Sequence, residues 1–161
     1  MIEILKLLEN DSTLSHTQIA AMLHIDENDV SSAIADYEKQ GVILGYKAKI
    51  DWEKTERETV TALIDVQVTP QRSEGFDRVA ERIYQYDEVE SLYLMSGSYD
   101  FSILITGRTF KEVALFVAEK LAPLESVTNT ATHFLLRKYK ENNVVFQQST
   151  EGQERIGAFE F

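Results

Sequence analysis

The sequence predicts an α+β chain in two parts: three short helices, then the order strand, helix, strand, strand, helix, strand. Three observations predict it. Up to about residue 40 the apolar residues recur at helical spacing, interrupted twice by short polar turns. From Val60 the period changes to two. Further on, two strand-like runs ending in Tyr93-Leu94-Met95 and beginning at Phe101 flank a polar turn that carries Gly97 and Asp100, which reads as a β-hairpin.

In the first part, Ile4, Leu5 and Leu8 form one side of a short helix that Asn10-Asp11-Ser12 interrupts. Ser15-His16-Thr17-Gln18 has the form of a capping box, with Ser15 as N-cap and Gln18 reaching back, and Ile19, Ala20 and Leu23 follow as an apolar stripe. After the His24-Ile25 turn, Asp26 caps a third helix whose inner face is Val30, Ala33, Ile34 and Tyr37, and Gly41 ends it. Three helices with the last two joined by a short turn make a helix-turn-helix, whose final helix lies in the major groove of DNA. Val42 to Ile50 alternates like a strand and suits a wing. A helical packing module that never touches DNA has the same spacing.

The charge opposes the DNA reading. The chain has 161 residues, with 27 acidic against 16 basic and a formal charge of -11, which repels nucleic acid and anionic membranes. From Asp26 to Gln40 there are five acids and one lysine. The outward positions are Asn28, Ser31, Ser32, Ala35, Asp36 and Lys39; arginine, the usual partner of guanine and phosphate, is absent. Asn28 suits adenine, Ser31 and Ser32 suit phosphate, and Lys39, Lys47 and Lys49 supply the cations. The prediction is weak or narrowly selected DNA binding, helped by oligomer avidity.

Asp51 to Glu58 is a polar linker, with Trp52, the only tryptophan, pinned to a neighbouring surface. Thr59 to Val68 is a strand ended by Pro70, and Ser73 to Tyr86 is an amphipathic helix carrying Phe76, Val79, Ala80, Ile83 and Tyr84. Val89 to Ser96 and Asp100 to Thr106 form the hairpin. Phe110, Val113, Ala114, Val117 and Leu121 line a second helix stopped near Pro123, and Thr128 to Lys140 is the last clear strand. This order is the ferredoxin-like βαββαβ arrangement, a four-stranded sheet with both helices on one face. The other face then pairs with a second copy. Asn142 to Ser149 adds an edge strand. The domains are therefore 1–50, a linker 51–58, 59–149, and a tail 150–161.

Together the capping-box helix, the Val30-x-x-x-Ile34-x-x-x-Glu38-x-x-Gly41-Val42-Ile43-Leu44-Gly45-Tyr46 run, the Gly97-x-x-Asp100-Phe101 hairpin and the Val127-x-x-x-x-Thr132 strand resemble the leucine-responsive/asparagine-responsive (Lrp/AsnC) family of prokaryotic transcription regulators. The likeness covers about residues 1 to 140. It implies a winged helix-turn-helix followed by a domain for regulation of amino acid metabolism, dimers that often assemble into octamers, and an amino acid or related effector bound near the hairpin at a contact between dimers. By that likeness Gly97, Ser98, Tyr99 and Asp100 belong to the effector pocket, and Thr130 and Thr132 to the strand that closes it. Glycine-flanked N–H groups suit a carboxylate, and Asp100 suits an α-ammonium. Asp100 also fits simple turn chemistry, and the threonines simple strand chemistry. The chain departs from the family by having Ala33 and Asp36 in the third helix where arginine is common, and by a shorter first helix.

An enzyme is not expected. His16, His24 and His133 are scattered, cysteine is absent, and no metal spacing, nucleophile pair or phosphate loop is visible, so no cofactor is predicted. Met1-Ile2-Glu3-Ile4 lacks a basic leader, and no apolar run approaches the roughly 18 residues of a membrane span, so the expected location is the cytoplasm. The alternative function is a ligand-sensing interaction module of the same fold that has lost specific DNA reading and regulates a partner protein.

Overall fold

Ile4, Ile19 and Val30, one from each of three helices, meet without solvent exposure at the centre of the unit Met1–Ile50. The helices are α1 (Ile2–Asn10), α2 (His16–Leu23) and α3 (Glu27–Lys39). Burying each of these side chains stabilises the unit by about 1.5–3 kcal/mol. Both halves of the Ser15/Gln18 capping box are formed, and Asp26 accepts the Asn28 N–H at 2.8 Å. Leu7 and Leu8, rather than Leu5 and Leu8, follow Ile4 into the cluster. His24 closes α2 at φ 55°, the left-handed conformation that starts the turn, and Ile25 N–H reaches back to the Ala20 carbonyl at 3.1 Å.

The stretch expected as a wing strand, Val42 to Ile50, forms no ladder among the described residues. A strand needs a partner, and residues 1–50 contain no other extended run to supply one. Ile43 packs on the helical core, while Leu44 is 93% exposed. Tyr46 donates to Glu38 Oε1 at 3.0 Å and ties the stretch to the end of α3.

The computed structural model describes residues 1–69 and 75–146. Pro70 as a strand end, Ser73 as a helix start, Gln147 to Ser149 of the expected edge strand and the tail from Thr150 lie outside the described residues. The second unit, Asp51–Phe161, begins with a short 3-10 turn at Trp52–Lys54, where the Arg57 guanidinium lies 4.5 Å from the centre of the Trp52 ring. Its sheet has the antiparallel order β2-β3-β1-β4, with β1 Val60–Val68, β2 Val89–Leu94, β3 Phe101–Gly107 and β4 Val127–Phe134. Helices α4 (Gly75–Tyr84) and α5 (Phe110–Phe116) cover one face.

Register decides which side chains face the helices. Ala62, Ile64 and Val66 of β1 pair with Ile105, Ile103 and Phe101 of β3, and together with Val79, Ile83, Val113, Phe116 and Leu121 they form the main core. The opposite face carries Leu63, Leu104 and Tyr93 around a polar line: Ser102 Oγ donates to Asp65 Oδ1 at 3.0 Å, and His133 Nε2 lies 3.4 Å from Asp65 Oδ2.

Three expectations about this unit need correction. The second helix does not run on in one phase: a π-helical turn, Val117–Leu121, follows α5, closed by the Ala122 N–H on the Val117 carbonyl at 2.8 Å. Phe116 and Leu121 would diverge by about 140° on a continued α-helix, and the wider π turn brings both into the core while Ala114 is left exposed. The last strand ends at Phe134, not Lys140, because β1 offers no pairing past Thr61, whose carbonyl takes the Leu135 N–H at 2.9 Å. Finally, β5 (Lys140–Glu141) and β6 (Val144–Val145) form a separate hairpin rather than an edge of the main sheet. Asn142 and Asn143 both have positive φ, 46° and 66°, as a type I′ turn requires.

Candidate effector and DNA-binding sites

Helix α3 turns one exposed face outward along Asn28, Ser31, Ser32, Ala35 and Lys39, with Asp36 at its margin. Lys47 and Lys49 lie beyond the helix, and the Tyr46–Glu38 bond holds the start of that stretch against the last turn of α3. Most of the acidity has a local cause. Asp26 is the N-cap, and Glu27 and Asp29 sit in the first turn, where the helix dipole favours negative charge. Glu38 accepts the Tyr46 hydroxyl, and burial together with that carboxylate raises the pKa of the phenol. Asp36 is the acid on this helix without such a role.

The β2–β3 connection runs from Met95 to Asp100 and is closed by the Met95 N–H on the Asp100 carbonyl at 2.7 Å. Gly97 and Ser98 are exposed at its tip, and Tyr99 and Asp100 are half-buried. The glycine is not required by the turn. Its φ is outside the left-handed region and a Cβ there would meet nothing within 4 Å, because the six-residue connection spreads the reversal over ordinary dihedrals.

Asp100 is fixed to the centre of the sheet. Its N–H donates to the Val66 carbonyl at 3.0 Å, and its Oδ2 accepts the Val68 N–H at 2.8 Å. These partners are backbone groups on another strand, so no sequence pattern announces them. Thr130 pairs with Val66 from the other side, placing Asp100 and Thr130 on opposite flanks of β1, about 10 Å apart by strand spacing. Thr132 pairs with Ile64, about 7 Å further along. Both threonines share the helix-covered face with Ile64 and Val66 and are half-buried. The structure thus gathers Asp100 and Thr130 at one end of the sheet, holds Gly97 and Ser98 at the tip beyond them, and sets Thr132 apart.

Among the described residues there is no group of three or more His, Cys, Asp or Glu that could hold a metal ion, and no helix is long and apolar enough to cross a membrane.

Comparison with known proteins matches residues 61–145 to the Lrp/AsnC ligand binding domain and residues 1–43 to a winged helix-turn-helix DNA-binding model. The chain is 51% identical to the HTH-type transcriptional regulator YugG of Bacillus subtilis strain 168, over 96% of this chain and 93% of that one. It is 29% identical to the HTH-type transcriptional regulator LrpA of Pyrococcus horikoshii, over 85% of this chain and 94% of that one. Among solved structures, the transcriptional regulator NMB0573 of Neisseria meningitidis, crystallised with L-Met, shares the fold with a TM-score of 0.72 at 18% identity, over 87% and 90% of the two chains. Two helical and ferredoxin-like units in this order, each matched by its own family model, place the chain in the Lrp/AsnC family of transcription regulators, with a DNA-binding helix-turn-helix and a ligand-binding domain.

Proposed function

We propose that the protein is an amino-acid-responsive regulator that binds DNA as a homo-oligomer and senses its effector at the Gly97–Asp100 connection. The observation that carries this reading is the anchoring of Asp100. A carboxylate whose Oδ2 is held by the Val68 N–H keeps its position at the sheet end beside an exposed glycine-containing tip. Such a pair suits a zwitterion, with the ammonium on Asp100 and the carboxylate on N–H groups of the Gly97-Ser98 tip. Thr130 borders the same end, and the neighbour NMB0573 was crystallised with an amino acid. Oligomerisation is supported by Leu63, Leu104 and Tyr93 on the face without helices, a surface of the kind a second copy covers. On α3, Asn28, Ser31, Ser32 and Lys39 are the groups proposed to meet DNA, with Lys47 and Lys49 on adjacent phosphates.

Thermal melting of the wild type and Asp100→Asn with each of the amino acids tests the effector site. An amide oxygen still accepts the Val68 N–H, so the variant loses the charge and keeps the anchor. A ligand at about 100 times its Kd stabilises the folded state by about 2.7 kcal/mol. The expected result is a shift for one group of amino acids in the wild type that is smaller in the variant; equal shifts in both would remove Asp100 from the site.

A second reading, a sensor module that no longer reads DNA and controls a partner protein, is favoured by the exposed Asp36 in a helix without arginine. Binding to mixed duplexes at low salt that shows no sequence preference at physiological salt supports it.

A further inference from the structure

At the opposite end of the sheet from Asp100 lies a groove of about 340 Å³ between the end of β3, α5 and the π turn. That is within the lower range of small-molecule sites. Its apolar floor is Ile105, Val113 and Phe116, all nearly inaccessible to solvent. Its rim carries both signs of charge, from the bonded pairs Glu88–Lys120 and Arg108–Glu112 and from Glu119.

Lys120 is preset there by the π turn. Its ammonium is bonded to Glu88 Oε1 and stands 5.1 Å from the centre of the Tyr86 ring and 5.8 Å from that of Phe116, two rings that meet edge to face. An exposed lysine ordinarily explores many rotamers; this one is held by a carboxylate and two aromatic faces. The π turn has its own packing cause in Phe116 and Leu121, and π turns of this kind recur at functional sites.

The pairing leaves capacity for a ligand of matching chemistry. An ammonium has three donors, and the bond to Glu88 uses one of them; a carboxylate has two oxygens, and Lys120 takes Oε1. Across the groove Arg108 bonds Glu112 Oε1 through Nε at 3.1 Å, a bond that leaves the terminal guanidinium nitrogens to a second acceptor. A molecule with one carboxylate and one ammonium on a short apolar body would add its carboxylate to Lys120 and Arg108 and its ammonium to Glu88, above an aliphatic and aromatic floor. A singly charged molecule would satisfy one pole and disturb the existing pair. We propose that this groove is a second small-molecule site that takes an aliphatic α-amino acid as its zwitterion, independently of the Gly97–Asp100 connection.

Calorimetric titration of the full-length protein with L-valine, isobutylamine and 3-methylbutanoate tests it, because the last two are valine without its carboxylate and without its ammonium. The titrations are run in the wild type, Lys120→Met, Glu88→Gln and Asp100→Asn. The expected result is saturable valine binding that weakens at least tenfold in both Lys120→Met and Glu88→Gln, persists in Asp100→Asn, and is at least tenfold weaker for either singly charged analogue. Methionine keeps the stem over the rings, and melting curves establish that each variant is folded. Valine binding unchanged in both groove variants, equal binding of the analogues, or no saturable binding beyond an Asp100-dependent event would overturn the proposal. A thermal shift that is reduced in Asp100→Asn, with the remainder removed by Lys120→Met, separates the two sites.

Discussion

Asp100 holds the Val68 N–H and, on the reading proposed above, also meets the effector's ammonium; substitution separates the two. Alanine would strip the acceptor from the Val68 N–H, a donor on a strand residue that is only 6% exposed, and an unmet buried donor costs about 1–3 kcal/mol. Asparagine keeps the acceptor. Asp100→Ala should therefore lower the melting temperature without ligand, whereas Asp100→Asn should melt close to the wild type and differ only in a smaller amino acid shift. If both variants melt alike, the Val68 bond contributes nothing. His24 is under local backbone strain. Its φ of 55° is left-handed, a conformation that costs a non-glycine residue about 1 kcal/mol or more. His24→Gly should raise stability by about 0.5–1 kcal/mol in denaturant titration; a loss of stability would mean that the imidazole makes a compensating contact.

At the scale of elements, the end of α5 carries the sharpest consequence. Continuous helical phase would put Ala114 inside; the π turn puts Phe116 there instead, 4% exposed and stacked edge to face on Tyr86 at 5.7 Å. Phe116→Ala should cost about 3–5 kcal/mol, while Ala114→Lys should cost little, and denaturation midpoints of the two decide between the phases. The nearby Glu88–Lys120 pair gives a pH dependence. The hydrogen bond from Lys120 holds the Glu88 carboxyl below the usual carboxylate range, against the opposing effect of burial. A lowered folded value means that the stabilisation is complete above about pH 4.3 and fades as pH falls through the folded pKa. With both side chains more than a third exposed, the effect is about 0.2–1 kcal/mol. The stability gap between wild type and Glu88→Gln should close in acid; a gap that persists at the lowest pH would assign it to packing.

Which elements the sequence discloses follows from where their causes lie. The capping box at Ser15 and Gln18, the inner face of α3 and the alternation of β1 are local patterns, and all are present. Limits set by a distant strand are not local: β4 stops where β1 runs out, and the stretch from Val42 lacks a strand to pair with. The π turn arises from competition between two apolar residues five apart, which a single helical period does not represent. Asn142-Asn143, expected as the start of an edge strand, is instead the turn of the β5–β6 hairpin, since asparagine tolerates positive φ. At the sheet end the polar residues could be picked out, but the backbone partners of Asp100 could not.

For the whole molecule, charge is the quantity that the DNA-binding role must overcome. Residues 1–50 hold eight acids, four lysines and no arginine, within a chain of formal charge -11. Counterion release from phosphate contacts is correspondingly small, so affinity should fall only gently with salt and should depend on several helices acting together in an oligomer. Asp36 is the informative position because capping and the helix dipole do not explain it. Asp36→Arg should tighten DNA binding and steepen the log–log salt dependence by about 0.9 for each phosphate newly contacted. An unchanged slope would mean that this face of α3 points away from DNA.

The most direct test of amino-acid-responsive regulation is selection of genomic fragments by the purified protein at physiological salt, with and without a pool of amino acids, for wild type and Asp100→Asn. A discrete set of fragments is expected, with occupancy that changes on adding amino acids in the wild type and does not change in the variant. Failure of the folded protein to enrich any fragment in either condition would contradict specific DNA reading, and enrichment indifferent to amino acids would contradict the sensor.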